Sequence, residues 1–196
     1  MCETEKQPKC RCGWCNLKNP LYVEYHDREW GVAQHEDAVL FELLILESFQ
    51  AGLSWECVLN KRQNFRKAFD GFVPDRVCGY DAKKIEALMA DPGIIRNRRK
   101  MEAAVKNARV FREIQKEYSS FDAYIWHFTD GHVVYETGKT SSELSDRVSR
   151  DLKKRGMSFV GTTILYAYLQ AIGVICSHDE DCFLYKKQGT KSADSV

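Results

Sequence analysis

The sequence predicts an all-α fold built as one compact domain. Most of its 196 residues fall into segments whose apolar side chains recur at helical spacing, and 44% are hydrophobic, which is enough for a sizeable core. Only 4 prolines and 12 glycines interrupt these segments, which excludes collagen-like and linker-dominated chains. The 29 basic and 28 acidic residues leave a net charge of +1, which excludes a highly charged disordered chain.

The polarity of the chain also predicts its compartment. No apolar run reaches the roughly 18 residues that a membrane-spanning helix needs. The N-terminal segment 1–9 is polar and lacks the apolar core of a signal peptide, so we expect a cytoplasmic protein without membrane contact. In that compartment, the eight cysteines predict metal ligands or free thiols rather than disulfides.

The first half of the chain predicts three helices. Residues 36–49 are apolar on nearly every face, so this helix is expected deep in the core. Ser54 is a suitable N-cap for a second helix that reaches about Phe69. Asp81 is a suitable N-cap for a third helix, which ends at the tight-turn sequence of residues 91–93.

The second half predicts four more helices. They are expected at residues 95–118, 121–128, 140–156 and 162–172. Thr140 and Glu143 have capping-box spacing at the start of the third of these helices. Residues 133–135 have the composition of a brief strand, although no partner strand is evident. The polar tail 187–196 is expected to be flexible, which leaves residues 1–186 as a single helical domain.

An acidic residue, Glu47, interrupts the apolar stripe of the first helix. It follows Leu40, Leu43 and Leu44 at i, i+3, i+4 and i+7 spacing, so all four side chains share one face. Burying an unpaired carboxylate costs on the order of several kcal/mol or more. Glu47 therefore forms a salt bridge or a capping contact, is protonated, or faces a cavity in which it has a function. Trp55 could present an aromatic face to the same cavity.

A tight turn followed by basic residues predicts a phosphate contact. Gly93 in this turn allows backbone N–H groups to approach a phosphate, and the next helix adds its N-terminal dipole. Arg96, Arg98, Arg99 and Lys100 follow at once. Two further basic clusters occur at residues 61–67 and 153–155. The alternative interpretation is a solvated charged face, so a nucleic-acid surface is a hypothesis at this point.

Cysteine and histidine residues near both ends of the chain suggest a metal site. His178 and Cys182 are four residues apart, and Cys12 and His26 lie near the other end. Two ligands from each end would form a closed Cys2His2 zinc site. Two further cysteines compete as N-terminal ligands, namely Cys10 and Cys15.

Aromatic residues crowd the N-terminal segment, namely Trp14, Tyr22, Tyr25 and Trp30. Core packing is the ordinary interpretation of such residues. The more specific hypothesis is a stacking site for a planar ring, since base–aromatic stacking contributes about 1–3 kcal/mol per base.

Several longer motifs of this sequence occur together in one known family. They are Arg11-Cys12-Gly13-Trp14, Pro20-Leu21-Tyr22, residues 25–27 with 29–32, Glu47, residues 50–55, 93–96, 153–156 and 159–163, His178 and Cys182. With them the chain closely resembles the bacterial 3-methyladenine DNA glycosylase I family, within the helix-hairpin-helix glycosylase superfamily. The resemblance covers residues 11–185 and is weakest at 119–144.

The resemblance implies a fold and two sites. The fold is all-helical, with a helix-hairpin-helix module at about residues 81–118. A structural zinc ion that joins the N- and C-terminal segments is implied for Cys12, His26, His178 and Cys182. A base pocket is implied around Glu47 as the catalytic residue, with aromatic walls formed by Trp14, Tyr22, Tyr25 and Trp55.

The resemblance also implies an activity and its partners. The expected reaction is hydrolysis of the N-glycosidic bond of 3-methyladenine in alkylated double-stranded DNA, with the free base as product and an abasic site left behind. We expect a monomeric, monofunctional enzyme that flips the damaged base out of the stack. The residues expected to contact DNA are Gln50, Gly52, Leu53, Gly93, Arg96, Arg98 and Arg99, with Leu53 as the apolar wedge.

Two other functions fit parts of the same sequence. A zinc-stapled DNA-binding module would bind DNA in a salt-dependent way and release no base. A protein-interaction domain that keeps the helical scaffold would have no affinity for DNA. Both rank below the glycosylase hypothesis, because the pocket residues and the hairpin occur together.

Overall fold

The computed structural model describes residues 9–186, and most of them are helical. The helices are α1 (Pro20–Arg28), α2 (Asp37–Gln50), α3 (Trp55–Leu59), α4 (Arg62–Ala68), α5 (Pro74–Cys78), α6 (Ala82–Ala90), α7 (Arg98–Tyr118), α8 (Phe121–Trp126), α9 (Glu143–Lys154) and α10 (Thr162–Ala171). Short 3-10 turns occur at Asp70–Phe72 and His127–Thr129. The predicted tail 187–196 lies outside the described residues.

Helix α2 lies at the centre of the core, as its composition predicts. Residues 40–49 are all buried, and α2 packs against α3, α7, α8 and α10. The predicted bounds 36–49 are confirmed to within one residue at each end. Because the helix is surrounded on all sides, any polar side chain on it must find a partner or a cavity inside the protein.

The predicted helix from Ser54 to Phe69 is in fact two helices. Ser54 is the N-cap of α3, since its side chain accepts a hydrogen bond from the Cys57 N–H at 3.2 Å. The chain then turns at Asn60 and Lys61, and α4 starts at Arg62. The buried Arg62 guanidinium binds Glu29 and Glu42, and these ion pairs fix the start of the second helix.

The helices on either side of the predicted turn are α6 and α7. Asp81 caps α6 as predicted, by accepting from the Lys84 N–H at 2.8 Å. Helix α7 starts at Arg98 rather than at residue 95, because the Asn97 side chain caps it by accepting from the Lys100 N–H. The connection between these helices therefore spans residues 91–97.

Other local expectations are corrected by the structure. Helix α9 is capped by Ser142 and Ser145 rather than by Thr140 and Glu143, since the two serine side chains and backbone N–H groups bond reciprocally. Helices α1 and α5 were not expected from the sequence. Each starts with a proline, whose fixed φ suits the first helical position.

The predicted brief strand has a partner that is distant in sequence. Strand β1 (Val134–Tyr135) pairs in parallel with β2 (Ile175–Cys176), with Val134 opposite Ile175. Strand β2 follows α10, and the segment after it brings His178 beside His26 of α1. None of the helices within residues 9–186 is both long and apolar enough to cross a membrane.

Candidate active site and metal centre

A cavity of about 360 Å³ opens beside the C-terminal part of α2. Its walls come from α1 and the segments on either side of it, from α2, α3 and α10, and from the segments that follow β1 and β2. The lining residues are Trp14, Tyr22, Tyr25, Trp30, Glu47, Gln50, Trp55, Gly138, Lys139, Ala167, Gln170, Ser177 and Asp179. The structure therefore brings together the predicted catalytic residue and all four predicted aromatic walls.

Glu47 is the buried acid of this cavity. Its side chain is 2% exposed, and its Oε2 atom has no hydrogen-bond partner among residues 9–186. Burial raises the pKa of Glu47 to about 8. The other buried acid of α2, Glu42, is bound by Arg62 at 2.5 Å and by Arg66 at 2.9 Å. One helix thus carries a satisfied structural carboxylate and an unsatisfied one that faces open space.

The aromatic residues that line the cavity with Glu47 form two groups of neighbouring rings. Trp14 lies with its ring centroid 5.4 Å from that of Tyr22 and 4.8 Å from that of Trp30. In the second group, the centroids of Tyr25 and Trp55 are 5.2 Å apart. The Trp55 Nε1–H group is buried without an acceptor among the described residues. The cavity therefore offers aromatic faces, a carboxyl group and a free N–H donor, which suits a flat, polar guest.

Seven lining residues are not among the predicted site residues. They are Trp30, Gly138, Lys139, Ala167, Gln170, Ser177 and Asp179. Trp30 was recognised only as one of a group of aromatic residues. Asp179 directly follows the predicted ligand His178, and its Oδ2 atom accepts from the Gly13 N–H at 2.7 Å. Lys139 and Gln170 reach the cavity through non-local packing, for which the sequence carries no local signal.

The loop after α2 starts next to a residue that lines the cavity and contains an exposed leucine. Gln50 lines the cavity, and its carbonyl accepts from the Leu53 N–H at 2.6 Å, which closes a tight turn. Gly52 has a φ of +79°, a conformation that side-chain-bearing residues rarely adopt. The turn presents the Leu53 side chain, which is 43% exposed, to solvent.

The connection between α6 and α7 forms a second, basic feature outside the cavity. The Gly93 N–H donates to Asp91 Oδ1 at 2.7 Å, and Asn64 Nδ2 donates to the Gly93 carbonyl at 3.2 Å. Arg98 is paired with Glu86 at 2.6 Å. The other two predicted arginines, Arg96 and Arg99, are exposed and form no ion pair within residues 9–186.

The four predicted metal ligands lie together. Cys12, His26, His178 and Cys182 are all buried, and their ligand atoms lie within 4.8 Å of one another. The Cys12 Sγ–His178 Nδ1, Cys182 Sγ–His26 Nε2 and Cys182 Sγ–His178 Nδ1 distances are 3.4, 3.5 and 3.6 Å. A tetrahedral ion with zinc–ligand bonds of about 2.0–2.3 Å requires sulfur–nitrogen separations of about 3.6 Å. The donor set therefore fits a zinc ion.

The surroundings of the cluster also suit a metal. Burial raises the pKa of the Cys12 thiol to about 12, so a thiolate at this position requires a compensating cation. The competing N-terminal cysteines have other surroundings, since Cys15 Sγ lies 3.8 Å from the Tyr22 carbonyl and Cys10 is exposed beside Asp181. Of the three N-terminal cysteines, Cys12 is therefore the one that joins His26, His178 and Cys182 in a cluster that could hold a metal ion.

The fold and the site define a helical protein with an acidic, aromatic cavity, and comparison with known proteins identifies the class. Residues 14–185 match the family described as methyladenine glycosylase. DNA-3-methyladenine glycosylase 1 of Escherichia coli (strain K12) is 41% identical over 181 residues, which are 89% of this chain and 96% of that protein. The chain belongs to the methyladenine glycosylase family.

Solved structures agree with this assignment. A 3-methyladenine DNA glycosylase I has a TM-score of 0.86 at 40% identity, covering 90% of this chain and 100% of its own. The enzyme of Staphylococcus aureus, described for its recognition of 3-methyladenine, has a TM-score of 0.86 at 33% identity, with coverages of 91% and 100%. The mostly helical fold therefore matches that of these glycosylases.

Proposed function

We propose that this protein is a DNA repair glycosylase. It hydrolyses the N-glycosidic bond of 3-methyladenine in alkylated DNA, releases the free base and leaves an abasic site. The observation that carries this proposal is the unpartnered Glu47 carboxyl group, buried in an aromatic cavity of a chain from the methyladenine glycosylase family. A structurally related glycosylase I was solved in complex with 3-methyladenine.

Charge explains how the cavity would select its base. Adenine methylated at N3 is cationic in DNA, whereas normal adenine is neutral. An ionised Glu47 attracts the cation, and its hydrogen bonds to the base edge are charge-assisted. The faces of Trp14, Tyr22, Tyr25 and Trp55 add cation–π attraction of about 0.5–2 kcal/mol. The cationic base is already a good leaving group, so the cavity need not supply strong acid catalysis.

The damaged base must leave the duplex before it enters the cavity. We assign this step to the turn of Gln50, Gly52 and Leu53, which starts at the cavity-lining Gln50. The exposed Leu53 side chain would fill the space left in the stack, as apolar wedges do in proteins that kink DNA. The proposed wedge thus lies three residues after Gln50, which lines the base cavity.

The 91–97 connection would hold the DNA backbone as a helix-hairpin-helix module. Gly93 is half-buried, and its backbone is fixed by Asp91 and Asn64. Arg96 and Arg99 are the exposed cations of this module, and Arg98 would have to leave Glu86 to join them. Such contacts would be sequence-independent and salt-dependent.

We assign a structural zinc ion to Cys12, His26, His178 and Cys182. With two cysteines and two histidines, the ion has no open coordination position and serves to cross-link the two ends of the chain. Trp14 and Asp179 are near neighbours of these ligands in sequence and line the cavity, so the cross-link also supports the cavity wall. The monomeric state expected from the sequence stays a prediction.

Substitution of the buried acid tests the proposed function. On methylated duplex DNA we expect the wild-type protein to release 3-methyladenine, as identified by chromatography, and Glu47→Gln to lose about 100-fold or more in rate. Glu36→Gln, an exposed position at the start of the same helix, should keep the wild-type rate. A wild-type protein that binds this DNA but releases no base would instead be a DNA-binding module.

A further inference from the structure

A buried lysine of α7 binds the end of α2. Lys100 is 7% exposed, and its Nζ atom donates to the carbonyl oxygen of Phe49 at 2.9 Å and to that of Ala51 at 2.6 Å. The base-release chemistry above makes no use of it. Burial lowers the pKa of Lys100, whereas both carbonyl contacts favour its charged form.

The two carbonyl groups lie where α2 ends and the Gly52–Leu53 turn begins. Phe49 is two residues after Glu47, and Ala51 directly precedes the Gly52–Leu53 turn. The last carbonyl groups of a helix lack partners within the helix, and the negative end of the helix dipole favours a cation there. The Lys100 ammonium group meets both requirements, so it fixes the point at which α2 becomes the wedge turn.

The backbone of Lys100 belongs to the hairpin module. The Lys100 N–H donates to the side chain of Asn97, which caps α7 directly after the 91–97 connection. Arg99 adjoins it in the chain. One residue therefore links the connection proposed to hold the DNA backbone with the turn proposed to enter the base stack.

We propose that Lys100 is a positioning residue that sets the distance between the DNA-holding hairpin and the Leu53 wedge. This inference rests on the proposed function. Lys100 does not line the cavity, so we expect its loss to leave the base site intact and to impair only the entry of a stacked base. Excision from duplex DNA should depend on Lys100, and excision of a base that is already unstacked should not.

The test compares two DNA substrates. Lys100→Met keeps the length of the side chain and removes the donors, and Lys106→Met removes a positive charge from an exposed position of the same helix. Single-turnover release of 3-methyladenine is measured from methylated duplex and from methylated single strands. For Lys100→Met we expect a loss of about tenfold or more on the duplex and little loss on single strands. Lys106→Met should match the wild type on both substrates.

Binding of free 3-methyladenine distinguishes a positioning role of Lys100 from general disruption of the base site. Quenching of tryptophan fluorescence by 3-methyladenine should give the same affinity for Lys100→Met and for the wild type. Equal losses on both DNA substrates, or a wild-type rate on the duplex, would overturn the inference. If Lys100→Met fails to fold by circular dichroism, Lys100→Gln, which retains one amide donor, is judged by the same duplex-to-single-strand ratio. Failure of the proposed function would appear separately, as a wild-type protein that releases no base.

Discussion

Asp27 Oδ1 lies 2.8 Å from Nδ1 of His26, and Nε2 of the same ring lies 3.5 Å from Sγ of Cys182. Arg11 fixes this carboxylate with a bidentate pair at 2.7 Å, which lowers the pKa of Asp27 to about 2. A carboxylate that accepts from the Nδ1–H leaves the Nε2 lone pair free to bind a metal. The outer partners of the cluster are therefore arranged as metal sites require.

Metal analysis tests this arrangement. We expect purified protein to contain about one zinc ion per chain, and chelation to lower its thermal midpoint, because a closed Cys2His2 site stabilises only the folded state. Cys182→Ser should lose the zinc ion and have a lower thermal midpoint. Cys78→Ser, a half-buried position outside the cluster, is the matched control and should keep both. Metal-free protein whose folding is insensitive to chelators would refute the assignment.

The buried acid predicts a pH dependence of excision. Because burial raises the pKa of Glu47 to about 8, most free protein at neutral pH holds this carboxyl group protonated, and the ionised fraction rises with pH. The ionised form attracts the cationic base, so kcat/KM should rise towards a plateau above about pH 8. A bound cation favours the carboxylate and lowers this pKa, so kcat should reach its plateau at a lower pH than kcat/KM.

Rate profiles for two variants check the origin of this dependence. Glu47→Gln cannot ionise, so its residual activity should lack the rise, whereas Glu36→Gln should follow the wild-type profile. A wild-type kcat/KM that stays flat through neutral and mildly alkaline pH would show that ionisation of Glu47 does not limit recognition.

Local signals in the sequence predict the helices well, and non-local pairing explains what they miss. The apolar run of α2 and the Asp81 cap each depend on a few neighbouring residues, and both are confirmed. Strand β1 was predicted without a partner, because β2 lies about forty residues away. The helix expected at 54–69 is broken by ion pairs that join Arg62 to Glu29 and Glu42, which no local pattern reveals.

The same distinction applies to the site. Glu47 stands out in the sequence because an acid on an apolar stripe is anomalous, and the structure places it in the cavity. Glu42 on the same helix is also buried, but its arginine partners come from α4. The spacing of apolar residues alone could not show which of the two acids would have an ion-pair partner. Lys100 could be read only as one more cation of a basic run, since its carbonyl partners lie on another helix.

The wedge role that we propose for Leu53 predicts a loss of activity that depends on the DNA substrate. Leu53→Ala should slow excision from duplex DNA by about tenfold, because the smaller side chain fills less of the space left by the flipped base. Affinity for free 3-methyladenine should not change, since Leu53 does not line the cavity. Leu17→Ala removes an equally apolar side chain that is 66% exposed, and it should have no effect on either measurement. Equal rates for Leu53→Ala and Leu17→Ala would exclude a wedge at residue 53.

Gly173 and Gly71 have nearly the same φ angle but different surroundings. Substituting each of them therefore distinguishes the cost of backbone strain from the cost of close packing. Gly173 has a φ of +73° and Gly71 a φ of +71°. A Cβ atom on Gly173 would lie 2.3 Å from the Val32 carbonyl carbon, whereas a Cβ atom on Gly71 would have no neighbour within 4 Å. Gly71→Ala should therefore lower the free energy of unfolding by only the strain of a left-handed residue, about 1–2 kcal/mol.

Gly173→Ala should lower the free energy of unfolding by that amount and roughly 1–3 kcal/mol more, because the added methyl group displaces the backbone of residues 32–33. That segment is held against the end of α10 by the Gly31 N–H, which donates to the Gln170 carbonyl, and by the Gln34 N–H, which donates to the Ile172 carbonyl, both at 3.0 Å. Urea denaturation of both variants measures the difference. Equal losses would mean that backbone conformation alone, rather than the close approach of the two segments, requires glycine at residue 173.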